Sequence, residues 1–271
     1  MQPLFLRDGE YYVPTETAAS PWGPVTLHGG ASTALMVTAM EDRFSASDMQ
    51  LARLTVDLFR SVPKAPLRVE CETVRDGKRV KMFDVSLYHD DTEVCRASGL
   101  VLHKSEVEVP DYARQVIALP EHIVQAMDQQ PVVGIGSEHC IYEGASTPGL
   151  HRLIPLKPVF LQIGIGHGCS WLKLPVPVIE GRDNSPLLRV AALADFANGF
   201  SQVQLTEEVG FINADVTVNL FRMPTSEWLC IDSRAFPQST GLSMVESVLY
   251  DESGMIGRAA QSNLTMPRFK A

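Results

Sequence analysis

The sequence predicts an α+β fold with internal pseudo-twofold symmetry, in which two helices are each wrapped by an antiparallel sheet. Three observations predict it. First, LTVDLFR at 54–60 lies over VTVNLFR at 216–222, a shift of 162 residues. The same shift carries Leu87-Tyr88 onto Leu249-Tyr250, Arg96-Ala97 onto Arg258-Ala259 and Leu102 onto Leu264. One constant shift through a whole block marks a tandem duplication. Second, each copy reads as a helix followed by four apolar–polar alternating runs, the pattern of half-buried strands. Third, the second helix, LLRVAALADFANGF at 187–200, carries small residues, Ala191, Ala192, Ala194 and Ala197, where it would meet other structure. Alanine favours the helix and allows close packing. A single unit would leave its sheet edges open, and two copies joined edge to edge cover them.

The elements follow in order. YYVPTETAAS at 11–20 partly alternates, as a strand does, until PWGP at 21–24 breaks it. HGG at 28–30 leads into ASTALMVTAMED, a helix of about three turns at 3.6 residues each, and FSASD at 44–48 ends it. The strand-like runs LARLTVDLFRSV, LRVECETV, RVKMFDVSLYH and EVCRASGLVLH come next, divided by Pro63 and Pro66, by Asp76-Gly77 and by Asp90-Asp91. Asp-Gly between alternating runs is a hairpin signal. Residues 105–186 are irregular and rich in Gly and Pro, with WLKLPVPVIE at 171–180 the best strand candidate. The glycine-rich stretch at 163–171 lacks the Lys-Ser/Thr of a phosphate-binding loop and reads as a turn. The second copy then runs from a helix at 187–202 through FINADVTVNLFRMP, EWLCIDSRAF, GLSMVESVLYDESG and MIGRAAQSNLTM. The expected division is an N-terminal unit 1–104, a connection 105–170 and a C-terminal unit 171–271, forming one compact pseudo-dimeric domain.

Composition bounds the function. The 271 residues are 45% hydrophobic and 20% charged, with a net charge of −9. That acidity argues against nucleic acid as a partner, while a local cluster of Lys or Arg would suffice for a phosphorylated ligand. No apolar run is long enough to insert in a membrane. The opening MQPLFLRDGEYYVP lacks the features of a secretion signal, so a cytoplasmic location is expected. Cys71, Cys95, Cys140, Cys169 and Cys230 are odd in number and form no CxxC; they read as reduced, buried thiols. The histidines show no metal-ligand spacing, and no GxSxG elbow is present. No cofactor and no metal are expected.

The duplication supplies an internal control. A residue needed for folding recurs in both halves, whereas one needed for chemistry need not. The shift pairs Asp195 with Thr33, Asn213 with Leu51 and Gln261 with Gly99. The second half therefore holds a carboxylate and two carboxamides where the first holds a small hydroxyl, a leucine and a glycine. Each has a plain structural alternative: a solvated or capping Asp195, a turn-capping Asn213, a Gln261 on the wet face of its strand. Their joint appearance in one half singles them out as a candidate site. His28, Gly29 and Gly30 form a second candidate. Backbone N–H groups at a helix start can hold an anion or a developing oxyanion; the structural alternative is that the glycines serve only the turn into the helix, with His28 as a hydrogen-bonding spacer.

The order HGG, LTVDLFRSVP, ALADFANG, NADVTVNLFRMP and GRAAQSNL resembles the acyl-CoA thioesterase II type of double-hotdog protein, over about residues 11–268. The resemblance implies a tandem hotdog fold and hydrolysis of an acyl-CoA substrate, in fatty acid metabolism. It implies a catalytic Asp195 on the second hotdog helix, a Gln at Gln261 and a small polar residue at Asn213, two before Asp215, where other members carry Thr. Asp195 would activate a water held by Asn213 and Gln261, and an N–H near Gly29 or Gly30 would stabilise the oxyanion. Alternatives are a non-catalytic acyl-CoA or acyl-lipid binding protein and a hotdog hydratase or dehydratase; the last favours a His–carboxylate pair in one motif, and neither helix contains one. Hotdog units favour pairing, so a homodimer or larger assembly is expected.

Overall fold

The computed structural model describes residues 1–21, 23–111, 118–134, 148–161, 164–203, 206 and 209–267; Cys140 lies outside them. The first half comprises β1 (Phe5–Asp8), β2 (Tyr11–Pro14), a ribbon of β3 (Ala19–Ser20) and β4 (Gly23–Leu27), α1 (Gly29–Glu41), β5 (Met49–Asp57), β6 (Leu67–Asp76), β7 (Val80–His89) and β8 (Thr92–His103). The strand expected at 11–20 stops at Pro14. Thr15 Oγ1 accepts from the Thr17 N–H (3.2 Å) and caps a 3-10 turn over Glu16–Ala18, a local hydrogen bond that competes with the ladder.

The connection contributes α2 (Glu121–Gln129), β9 (Val133–Gly134), α3 (Leu150–Leu153), β10 (Pro155–Leu161) and β11 (His167–Lys173). Residues 105–170 thus do more than connect: they add strands to one end of the sheet. Only the first three residues of the expected strand 171–180 lie in β11. Pro175 and Pro177 have no N–H to give a ladder, and the chain turns to pair with the N-terminus, where the Leu4 and Phe5 N–H groups donate to Pro177 O and Val178 O (2.9 Å each). Of the glycine-rich stretch expected as a turn, residues 167–171 instead belong to β11, and the chain bends only ahead of them, with Gly164 and Gly166 at φ +95° and +81°.

The second half comprises α4 (Pro186–Leu193), a 3-10 turn (Ala194–Phe196), α5 (Ala197–Phe200), β12 (Val209–Asn213), β13 (Asp215–Leu220), β14 (Trp228–Pro237), β15 (Leu242–Asp251) and β16 (Gly254–Pro267). All strands but β3 and β4 join one antiparallel sheet in the order β1-β2-β6-β7-β8-β5-β13-β16-β15-β14-β11-β10-β9, with β12 also on β16. This is the tandem hotdog, α+β arrangement expected from the sequence.

The pairing register reproduces the shift of 162. Val85 pairs with Ala97 and Ser247 with Ala259; Cys71 pairs with Val85 and Ser233 with Ser247. At the seam between halves, Thr55 of β5 pairs with its own equivalent, Thr217 of β13. The pseudo-twofold axis passes through this pair, whose hydroxyls lie 3.2 Å apart. Even the irregularities correspond. A bulge falls between Leu51 and Arg53, and the equivalent residue, Ala214, separates β12 from β13, so the run expected as one strand over 211–224 is two. Ala214 keeps its N–H on Ser262 O (2.8 Å) but gives its carbonyl across the seam to the Leu58 N–H (2.7 Å). The two helices lie against one another inside the sheet, and one continuous core with Leu35, Met36, Leu188 and Leu193 fills the space between helices and strands.

Candidate active site

Asp195 lies in the 3-10 turn that interrupts the second helix, at 9% exposure. The sequence predicts unbroken helix here. Gln261 explains the difference: its Nε2 donates to the carbonyls of Ala194 (3.5 Å) and Asp195 (3.3 Å). Carbonyls drawn aside in this way suit the tighter 3-10 turn, a common feature of functional helices. At the equivalent position the first half has Gly99, whose Cβ-facing space is filled by the Met40 sulfur (2.7 Å), and α1 is continuous.

The Asp195 carboxylate points across the axis to the start of α1. Its Oδ2 accepts from the Gly30 N–H (2.8 Å) and lies 2.9 Å from His28 Nδ1; its Oδ1 accepts from Asn213 Nδ2. The Gly30 N–H also lies 3.1 Å from His28 Nδ1. Since two lone pairs would repel at 2.9 Å, we assign a proton to Nδ1, which then donates to Asp195. The imidazole stacks on Phe196, centroids 4.5 Å apart, so it is clamped between Asp195 and the next residue. Burial pushes the Asp195 carboxyl up, but the hydrogen bond and charge of His28, the Asn213 amide and the Gly30 N–H together hold it below the ordinary aspartate value of 3.8. Asp195 is therefore an anion at neutral pH, and Oδ1 has a lone pair left for a water.

Gly29 and Gly30 are required by space. A Cβ at Gly29 would stand 2.9 Å from both Asp195 carboxylate oxygens, and one at Gly30 would stand 2.1 Å from Ala192 O. The Gly30 N–H is committed to Asp195, so of the two glycines expected at an oxyanion site only Gly29 has its N–H unengaged among the described residues. A cleft of about 500 Å³ opens onto His28, Gly29, Asp195 and Asn213, with Leu58, Phe59, Val62, Ile212, Leu264 and Met266 as its apolar walls and Arg60 at its rim.

The structure thus brings together Asp195, Asn213, His28, Gly29 and Gly30. Gln261 stands behind them: its amide reaches the backbone of the turn and not the carboxylate. The His28–Asp195 pair joins the two halves across 167 positions, so no search within one motif could find it. Behind the site, on the same strand as Gln261, Asn263 is 3% exposed, and neither atom of its amide has a hydrogen-bond partner among the described residues. Burial pushes the thiols of Cys95 and Cys230 up, which disfavours them as nucleophiles. Among the described residues no cluster suits a metal ion, and no helix is long and apolar enough to cross a membrane.

Residues 18–102 match the family model of the acyl-CoA thioesterase N-terminal domain, and residues 165–265 match that of the C-terminal domain. The chain belongs to the acyl-CoA thioesterase family. Its fold is shared with several solved structures. A conserved protein of unknown function with hot dog fold from Alicyclobacillus acidocaldarius is 17% identical at a TM-score of 0.69, over 98% of this chain and 96% of that one. An acyl-CoA thioesterase II from Mycobacterium marinum is 15% identical at 0.63, over 91% and 92%. A tesB protein from Mycobacterium avium subsp. paratuberculosis is 16% identical at 0.62, over 97% and 96%. No curated protein sequence matches the chain. Asp195 lies in the C-terminal match and Gly30, whose N–H it accepts, in the N-terminal match, so the candidate site forms where the two halves meet.

Proposed function

We propose that this protein hydrolyses acyl-CoA thioesters to the free acid and CoA, using a water activated at Asp195. The observation that carries the reading is the buried carboxylate at the cleft, held by three donors, two from the start of α1 and one from the end of β12. A water on Oδ1 donates one proton toward the carboxylate as its oxygen attacks the thioester carbon. The Asn213 amide, already on Oδ1, orients that water. The Gly29 N–H, at the positive end of α1, faces the charge that grows on the thioester oxygen. The C–S bond then breaks, the thiolate of CoA takes up the proton and the acid is released. His28 holds the carboxylate in place and balances its charge, while Gln261 fixes the turn that presents it. No metal or redox step enters this chemistry.

The test is thiol release from a panel of acyl-CoAs by the parent, Asp195→Asn and His28→Gln. With Asp195 as the base, Asp195→Asn loses more than His28→Gln. An equal or larger loss for His28→Gln moves the base to the imidazole, with Asp195 as its orienting partner.

The His28–Asp195 pair also favours a second reading, hydration or dehydration of an acyl thioester by proton transfer through the imidazole. Formation or loss of an enoyl chromophore without thiol release would select it. The expected dimer or larger assembly, the cytoplasmic location and the unit boundaries 1–104 and 171–271 remain part of the proposal. Light scattering at micromolar concentration tests the assembly against the chain mass of 29.8 kDa.

A further inference from the structure

Two arginines are equivalent under the shift of 162, and their surroundings differ. Arg222, just past β13, is fully engaged. Its Nη1 and Nη2 donate to the two carboxylate oxygens of Asp251 (2.7 and 2.6 Å). Its Nε donates to the Met255 carbonyl (3.0 Å) and its Nη2 also to that of Gly254 (2.8 Å). Asp251 is completely buried, and it accepts in addition from the backbone N–H groups of Thr225 and Ser253. The bidentate pair straps the segment after β13 to the turn between β15 and β16.

In the first half the arginine is kept and the strap is gone. The equivalents of Arg222 and Asp251 are Arg60 and His89. His89 offers a guanidinium no negative charge, and its Nδ1 lies 3.4 Å from Pro66 O instead. Arg60 is exposed and makes no hydrogen bond or ion pair with the described residues. It stands at the rim of the Asp195 cleft, on the segment whose Leu58, Phe59 and Val62 form an apolar wall. Among the described residues that line the cleft, Arg60 is the one Lys or Arg. Four positions on, the Lys64 ammonium is neutralised by Glu16, 2.7 Å away. The chain carries a net charge of −9 and the cleft holds the Asp195 anion, so an anionic ligand gains from an unpaired cation at the entrance.

We infer that Arg60 binds the diphosphate of the CoA half of the substrate at the mouth of the cleft. The inference rests on the thioester reading of the Asp195 site. The Leu58 N–H donates to Ala214 O (2.7 Å), next to the Asn213 that holds Asp195. Arg60 lies two residues beyond Leu58, at most about 7 Å of extended chain, and its own long side chain extends the reach. The pantetheine arm between sulfur and first phosphate is peptide-like. It matches about four residues in length, roughly 14 Å when extended. With the thioester at Asp195 and the arm along the wall at 58–62, the diphosphate comes within reach of Arg60. The planar guanidinium can then take two phosphate oxygens at once, as Arg222 takes two from Asp251.

The experiment measures thiol release from octanoyl-CoA, octanoyl-dephospho-CoA and octanoyl-pantetheine by the parent, Arg60→Gln and Arg60→Lys. Octanoyl-dephospho-CoA lacks only the 3′-phosphate and keeps the diphosphate. Arg60→Gln is expected to lose roughly tenfold or more in kcat/KM on both nucleotide thioesters, the size of one hydrogen-bonded charge contact. The loss falls on KM, since the contact is the same in ground and transition states. Octanoyl-pantetheine, with no phosphate, loses far less, and Arg60→Lys recovers part of the difference. Melting temperatures are taken alongside: Arg60→Gln melts with the parent, while Arg222→Gln, which strands the buried Asp251, melts lower. An equal loss on all three thioesters, no loss on any, or a melting temperature as low as that of Arg222→Gln overturns the assignment. A loss confined to octanoyl-CoA moves Arg60 to the 3′-phosphate and overturns its place on the diphosphate. If no thioester releases thiol, the hydrolytic reading fails, and calorimetric titration with CoA then decides the subsite. Weaker binding of CoA by Arg60→Gln than by the parent leaves the subsite standing; equal binding, or none by the parent, overturns it.

Discussion

Gly30 and Ala192 are equivalent residues of the two halves, and they touch one another. A Cβ on Gly30 would lie 2.1 Å from Ala192 O, a distance no side chain tolerates. This contact on the pseudo-twofold axis sets the spacing of the two helices, and the spacing in turn delivers the Gly30 N–H to Asp195 at 2.8 Å. Gly30→Ala must push the helices apart against a backbone atom that cannot rotate away. The expected loss of stability is about 1–3 kcal/mol, the range for overpacking a core, read as a lower melting temperature. Activity falls as well, since the same displacement withdraws a donor from Asp195.

Gly29→Ala separates the two effects. Its Cβ would meet only side-chain oxygens of Asp195, 2.9 Å away. A side chain can turn where a backbone cannot, so thiol release is expected to fall well before the melting temperature does. A large loss of stability with activity intact would show that the carboxylate does not need its present position.

Removing the carboxylate tests the chemistry. Positioned acid–base groups contribute about 10²–10⁴-fold, and Asp195→Asn is expected to lose kcat in that range. Thr33→Ala, at the equivalent position of α1, is expected to cost far less. The Thr33 hydroxyl is buried without a hydrogen-bond partner among the described residues, so its removal strands no neighbour. Comparable losses for the two variants would remove the argument from asymmetry.

The pH dependence has a definite sign. The folded state holds the Asp195 pKa below the ordinary 3.8, so it favours the anion more than the unfolded chain does. That preference stabilises the fold above about pH 4 and is lost as pH falls through the lower folded value. Parent and Asp195→Asn are therefore expected to differ most in stability near neutral pH and to converge in acid, as followed by denaturant unfolding across pH. Thiol release by the parent should likewise hold its rate down to the acid side of the usual aspartate range.

Gln261 and Asn213 should differ in kind. Asn213→Ala takes a hydrogen bond from the carboxylate itself, lowering kcat and raising the pH at which activity is lost. Gln261→Ala frees two backbone carbonyls of the turn, so it is expected to lower kcat with less effect on that pH. Identical pH profiles for both would place Gln261 on the carboxylate after all.

Much of this was legible in the sequence because duplication converts one chain into its own comparison. The shift of 162 agrees with the strand pairing, but the bulge at Ala52 and the equivalent break at Ala214 were hidden, because the alternation runs on through both. It also set Asp195, Asn213 and Gln261 apart from Thr33, Leu51 and Gly99. What stayed hidden depends on contacts between distant segments. The pairing of His28 with Asp195 needs both helices in place. The 3-10 turn at 194–196 needs a side chain from the last strand. The end of the strand at Pro14 needed only Thr15, whose capping hydroxyl was in plain view but competed with an alternating pattern that read as strand. The strands at 155–161 and 167–173 escaped notice because proline and glycine interrupt their alternation.

The Thr55–Thr217 pair has an evolutionary consequence. In an assembly of two identical half-length chains, a residue on the axis would meet itself, and every change in one partner would be made in both. A carboxylate gained at one helix would appear at the other, along with the buried amides around it. Covalent fusion ends that constraint. Holding the halves in one chain also raises their effective concentration, so the seam persists at dilutions where two separate chains would part. Each copy is then free to diverge: one keeps Leu51 and Gly99 as filling, while the other carries the amides of Asn213 and Gln261 at the same positions.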